Sequence, residues 1–149
     1  MKLLIVEDEK QLAEITAMLL RSLDRRAQRL GTITLAADLA TALDRLPEHD
    51  VVLCDGRFPL SQNSRCIVEE WDVVRHEASR RGIHFVLYTG CLRALQEARD
   101  GDTPALAKPA RIEDVYAALT AQSAEPPANS FDSPTHSTFQ LLRVKELKS

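Results

Sequence analysis

The chain has 149 residues, of which 44% are hydrophobic and 28% charged, a balance that fits a soluble globular domain and excludes a disordered, collagenous or fibrous chain. Its net charge of −3, from 19 basic and 22 acidic side chains, gives no general attraction to nucleic acid or an anionic membrane. No apolar run approaches the ~20 residues of a membrane span, and the four residues from Leu3 to Val6 are too few for a signal peptide, so a cytoplasmic protein is expected.

Leu3 to Val6 reads as a continuous, buried strand. The helix after it has an apolar face that includes Leu12, Ile15, Leu19 and Leu23. Thr32 to Leu35 is rich in β-branched residues and follows Gly31, which predicts a second strand. Asp38 is a good N-cap for a helix carrying Leu39, Ala42, Leu43 and Leu46, which Pro47 stops. Val51 to Cys54 is a third strand ending at Asp55. A loop through Gly56 and Pro59 then leads to a long helix with Ile67, Trp71, Val74 and Ala78, closed by Gly82. Phe85 to Tyr88 is a fourth strand, Leu92 to Arg99 a short helix, and Ala105 to Ala107 a weak fifth strand. Ile112, Val115, Tyr116 and Leu119 mark the last helix.

A βα unit repeated five times, with strands apolar throughout, predicts a doubly wound α/β fold around a parallel sheet. It occupies residues 1–122. Residues 123–138 hold three prolines, four serines and two threonines, the composition of a linker or disordered tail. Residues 139–147 then place Phe139, Leu141, Leu142, Val144 and Leu147 in nine positions, with no period that decides between helix and strand. Such a segment is expected to dock, within reach of its own body or of a second subunit. A homodimer through this tail is the expectation. Cysteines 54, 66 and 91 have neither disulfide nor zinc spacing and read as reduced thiols.

Ligands of open parallel sheets bind at the C-terminal ends of the strands. The polar residues leaving those ends are Glu7 and Asp8, Asp55, Thr89 and Lys108. Two carboxylates ~5 Å apart repel by roughly 3 kcal/mol at an effective dielectric of ~20. A hard divalent cation such as Mg²⁺ relieves that repulsion in an all-oxygen site. Lys108 and Thr89 add an ammonium and a hydroxyl suited to an anionic group, which together is equipment for phosphoryl transfer onto a carboxylate. Taken singly, each residue also has a structural use: a turn or cap for Asp55, helix N-terminal charge for Glu7, Asp8 and Glu9, and loops at Thr89-Gly90 and Lys108-Pro109.

The runs Leu3-Leu4-Ile5-Val6-Glu7-Asp8-Glu9, Val51-Val52-Leu53-Cys54-Asp55-Gly56-Arg57-Phe58-Pro59, Tyr88-Thr89-Gly90 and Lys108-Pro109 resemble the receiver domain of bacterial response regulators over residues 1–122. The resemblance implies a flavodoxin-like (βα)5 fold with strand order 2-1-3-4-5. It implies that Asp55 accepts phosphate from the phosphohistidine of a sensor histidine kinase or phosphotransfer protein, in a two-component system or phosphorelay. Asp8 would bind Mg²⁺ directly and Glu7 mainly through water, with Asp55 and the main-chain carbonyl of Arg57 completing the protein ligands. Thr89 and Lys108 would contact the phosphoryl oxygens, and Lys108-Pro109 would be cis.

Three positions depart from the family pattern. Ala105 stands where a switch Tyr or Phe is usual, Leu60-Ser61-Gln62-Asn63-Ser64 replaces an Asp-Gly turn, and the 27 tail residues are too few for an output domain. The resulting expectation is a stand-alone signalling module that works through protein contacts, with no direct nucleic-acid or membrane partner. Its chemistry would be limited to phosphoryl transfer onto its own Asp and slow self-dephosphorylation. Two alternatives remain at this stage. One is a degenerate receiver that acts as a scaffold without phosphorylation. The other is a Mg²⁺-dependent phosphohydrolase of the haloacid dehalogenase kind, which would carry a second Asp where Arg57 stands.

Overall fold

Side chains alternate from face to face along short apolar strands, and that alternation divides the core into two layers. The computed structural model describes residues 1–121. The linker and apolar tail of residues 123–149, with the homodimer expected from them, lie outside the described residues. In chain order the elements are β1 (Leu3–Val6), α1 (Lys10–Asp24), β2 (Ile33–Ala36), α2 (Leu39–Arg45), a 3-10 turn (Leu46–Glu48), β3 (Val51–Cys54), β4 (Phe58–Pro59), β5 (Ile67–Val68), α3 (Trp71–Arg80), β6 (His84–Thr89), α4 (Leu92–Asp100), β7 (Ala105–Ala107) and α5 (Ile112–Thr120).

Five strands form a parallel sheet in the order β2-β1-β3-β6-β7. Counted among themselves, these are the 2-1-3-4-5 order of the flavodoxin-like expectation. Leu4, Val6, Val52, Cys54, Phe85 and Leu87 point to one side of the sheet, where α2, α3 and α4 cover them. Trp71 of α3 stacks on Phe85 there, with ring centroids 6.2 Å apart. Leu3, Ile5, Val51, Leu53 and Val86 point to the other side, where α1 and α5 pack. The local signals hold at two helix ends. The Asp38 carboxylate accepts the Thr41 N–H at 2.7 Å at the start of α2, and Gly82 takes φ +71 just past α3.

Three readings of the sequence are corrected. The buried face of α1 is Ala13, Thr16, Ala17, Leu20 and Asp24, not the face of Leu12, Ile15, Leu19 and Leu23. The helix is turned by about one residue, because small side chains let it lie close to the sheet while the larger aliphatic ones stay outside. Ile67 is not on α3, which begins at Trp71. Ile67 pairs with Pro59, and Val68 with Phe58, in a two-stranded antiparallel hairpin that the sequence reading did not include. Leu46, read as part of α2, opens the 3-10 turn instead, and α2 ends at Arg45, two residues before Pro47. Among the described residues, no helix is long and apolar enough to cross a membrane.

Candidate functional site

The sheet ladder continues one residue beyond three of its strands, and those residues carry the site. The Glu7 N–H donates to the Ala36 carbonyl at 2.9 Å and the Asp55 N–H to the Val6 carbonyl at 2.9 Å. The Lys108 N–H donates to the Thr89 carbonyl at 3.0 Å. Backbone hydrogen bonds thus hold Glu7, Asp55 and Lys108 at the C-terminal edge of β1, β3 and β7, where a doubly wound fold places its ligands. Thr89 is the last residue of β6 rather than the first beyond it.

Carboxylate oxygens of Glu7, Asp8 and Asp55 all lie within 4.8 Å of one another. Glu7 is buried, Asp55 half-buried and Asp8 exposed. Lys108 Nζ hydrogen-bonds to Glu7 Oε1 and lies 3.4 Å from Asp55 Oδ2. It also sits over the Tyr88 ring, 5.3 Å from its centroid. The other Asp55 oxygen, Oδ1, accepts the Gly56 N–H at 2.6 Å. Thr89 is buried, and its Oγ1 accepts the Cys91 N–H at 3.1 Å; a hydroxyl used in this way still has a proton to donate. Gly56 keeps Thr89 and Asp55 close together, since a Cβ at Gly56 would meet Thr89 Oγ1 at 2.9 Å and Ala94 Cβ at 3.0 Å.

Burial pushes the Glu7 carboxyl up to about 7; the hydrogen bond from Lys108 opposes the shift and the charge of Asp55 adds to it. Burial pulls the Lys108 ammonium down, but its hydrogen bond to Glu7 and the charges of Asp55 and Glu7 outweigh this and leave it above its ordinary value. The Cys54 thiol is held well above its usual range by burial and then by the charges of Asp55 and Glu7, so it stays a protonated core side chain. Three carboxyl groups facing one ammonium gather more oxygen donors than that cation can satisfy. That donor set suits a hard divalent cation held by Glu7, Asp8 and Asp55.

The structure therefore brings together Glu7, Asp8, Asp55, Thr89 and Lys108. The side chain of Arg57 turns away to Glu69, with Nε 3.9 Å from Oε1. Ala105 opens β7 beside Leu87 and is buried. The Lys108-Pro109 peptide is cis. Sequence reasoning missed two neighbours of the site. One is Tyr88, under Lys108, with its hydroxyl accepting the Ala110 N–H at 3.4 Å. The other is Glu69, which also meets Arg93 at 3.6 Å and accepts the Cys91 thiol at 3.7 Å, tying the β4–β5 hairpin to the start of α4. Tyr88 directly precedes Thr89 and could have been read as a strand-end neighbour. Glu69 has no local signal.

No family model and no curated protein matches the chain. Solved structures do. The response regulatory domain of protein mrkE from Klebsiella pneumoniae is 18% identical, with a TM-score of 0.60 over 83% of this chain and 95% of that one. A putative response regulator from Chloroflexus aurantiacus is 19% identical, with a TM-score of 0.64 over 83% and 98%. This is the receiver-domain fold. A third receiver-fold neighbour, a response regulator protein from Burkholderia pseudomallei crystallised with a phosphorylated aspartic acid, calcium ion and citrate, is 19% identical, with a TM-score of 0.57 over 97% of this chain and 86% of that one. In the receiver fold of this chain, β4 and β5 fill the connection between β3 and α3 in which the Asp-Gly turn is replaced.

Proposed function

We propose that the chain is a phosphoacceptor receiver module. Asp55 takes a phosphoryl group from the phosphohistidine of a histidine kinase or phosphotransfer protein, and the change is passed on through protein contacts. The observation that carries this reading is the approach of a single ammonium, Lys108 Nζ, to both Glu7 and Asp55. Thr89 packs against Gly56, the residue after Asp55. The phosphorylated aspartic acid of the Burkholderia pseudomallei neighbour supports this use of the fold.

In the transfer, an Asp55 carboxylate oxygen attacks phosphorus in line with the bond to the imidazole nitrogen. The P–O bond forms, the P–N bond breaks, and its electron pair returns to the imidazole. Lys108 exchanges part of its contact with the carboxylates for a phosphoryl oxygen, and the Thr89 hydroxyl donates to another. Glu7, Asp8, Asp55 and the main-chain carbonyl of Arg57 would hold Mg²⁺, which when bound supplies positive charge to the transferring group. Arg57 occupies the place where a phosphohydrolase would need an acid, so the assigned chemistry is one transfer followed by slow hydrolysis.

The test is to mix the protein with a phosphotransfer protein carrying phosphohistidine. Label should move once to this chain, in a step abolished by chelation. Repeated turnover of small phosphate esters would instead favour the phosphohydrolase. Absence of transfer from both protein and small-molecule donors would favour a scaffold.

A further inference from the structure

The turn of α1 that buries its small residues leaves an aliphatic stripe on the outside. Ile15 is 48% exposed, Met18 62%, Leu19 42% and Leu23 38%. Beside it, a groove of about 760 Å³ between α1 and the edge strand β2 is lined by Ala17, Met18, Ile33 and Leu35 on its apolar side and by Glu14, Arg21, Ser22 and Arg25 on its polar side. Four large aliphatic side chains stand partly exposed on this one helix, and apolar surface gathered in this way, rather than scattered singly, marks interaction sites.

We infer that this face is covered by residues 139–147 of the same chain. Those nine residues contain Phe139, Leu141, Leu142, Val144 and Leu147, enough apolar surface to match the stripe. The point where the chain leaves the described fold favours the same molecule. Helix α5 packs beside α1, and the Tyr116 hydroxyl donates to Asp24 Oδ1 at 2.7 Å, so the described chain ends, at Ala121, within about two helical turns of the C-terminal end of α1. Residues 122–138 intervene. A chain of 17 residues spans at most roughly 56–61 Å, well beyond α1, which at ~1.5 Å per residue is about 22 Å long. Tethering over that distance gives an effective concentration on the order of millimolar, so contacts too weak for a free peptide become populated. A second copy would need comparable protein concentrations to compete. The inference uses none of the residues around Asp55 and is independent of the proposed phosphorylation.

The sequence contains two methionines, so the Met18 methyl group is an easily assigned NMR reporter, with Met1 as internal control. The experiment compares the full-length protein with full-length Leu141→Ser/Leu142→Ser. The double substitution should shift the Met18 methyl resonance and leave Met1 in place. The wild-type Met18 signal should not change on dilution, and it should show a nuclear Overhauser contact to the Phe139 ring. A Met18 resonance identical in the two proteins would overturn the inference. So would a wild-type signal that moves on dilution as a dimer mass is lost in light scattering, because the occupant would then be a second copy.

Discussion

Glu7 is the carboxylate of the site whose surroundings least favour its charged form. Because burial holds it at about 7, against an ordinary 4.5, the folded protein binds this proton more tightly than the unfolded chain does. Its contribution to stability is therefore fully present below the unfolded value and is lost as pH rises through the folded one, by at most about 3 kcal/mol. In chelator, this contribution to the melting temperature should fall away between about pH 4.5 and about pH 8, and Glu7→Gln should flatten the fall. Added Mg²⁺ should restore more stability at the upper pH than at the lower. Equal pH slopes for wild type and variant would contradict this. Gly56 makes a second claim of the same kind. A methyl group there has 2.9 Å to Thr89 Oγ1, so Gly56→Ala should cost about 1–3 kcal/mol in thermal or urea unfolding and slow labelling of Asp55. Wild-type stability and rate would count against the close approach. Glu7, Asp55, Thr89 and Lys108 were legible in the sequence because each ends or directly follows a short apolar strand. Tyr88 had a signal in its place next to Thr89, whereas Glu69 meets Cys91 and Arg93 more than twenty residues away with no local pattern to announce the contact.

The elements differ in how openly the sequence displays them. β1 and β3 are four-residue apolar runs buried on both faces, so composition alone marks them. α1 carries apolar residues on two adjacent faces, and periodicity favoured the larger ones while packing selected Ala13, Ala17 and Leu20. Ile67 lies four residues before Trp71, a helical spacing that concealed its place in a two-residue strand. Under the proposed phosphorylation of Asp55, that hairpin would take part in readout. Ala105 has no ring to move, so a signal from Asp55 has a shorter route through Thr89, whose Oγ1 holds the Cys91 N–H, to α4 and to Glu69. Adding a phosphate mimic should move backbone resonances mainly at Gly90, Cys91 and the first turns of α4, with smaller shifts near Glu69. A large rearrangement of the β7 backbone in the same spectra would contradict this route.

On the scale of the whole molecule, two cores sandwich one sheet, and a single buried carboxylate ties the first βα unit to the last. Asp24 accepts the N–H groups of Arg29 and Leu30 at 2.8 and 2.9 Å and the Tyr116 hydroxyl at 2.7 Å. Asp24→Ala should leave these donors without their acceptor and cost about 2–4 kcal/mol in denaturant unfolding. A loss below about 1 kcal/mol would mean that the tie carries little of the fold's stability.

The sheet aligns Glu7, Asp55, Thr89 and Lys108 at one edge, and phosphorylation of Asp55 is the use proposed for that alignment. The most direct measurement is the intact mass of the full-length protein and of Asp55→Asn after treatment with a small-molecule phosphodonor and Mg²⁺. Wild type should gain one phosphoryl group, lose it on prolonged incubation, and gain none when Mg²⁺ is chelated; Asp55→Asn should gain none. Equal labelling of Asp55→Asn, or an unlabelled wild type, would contradict the assignment.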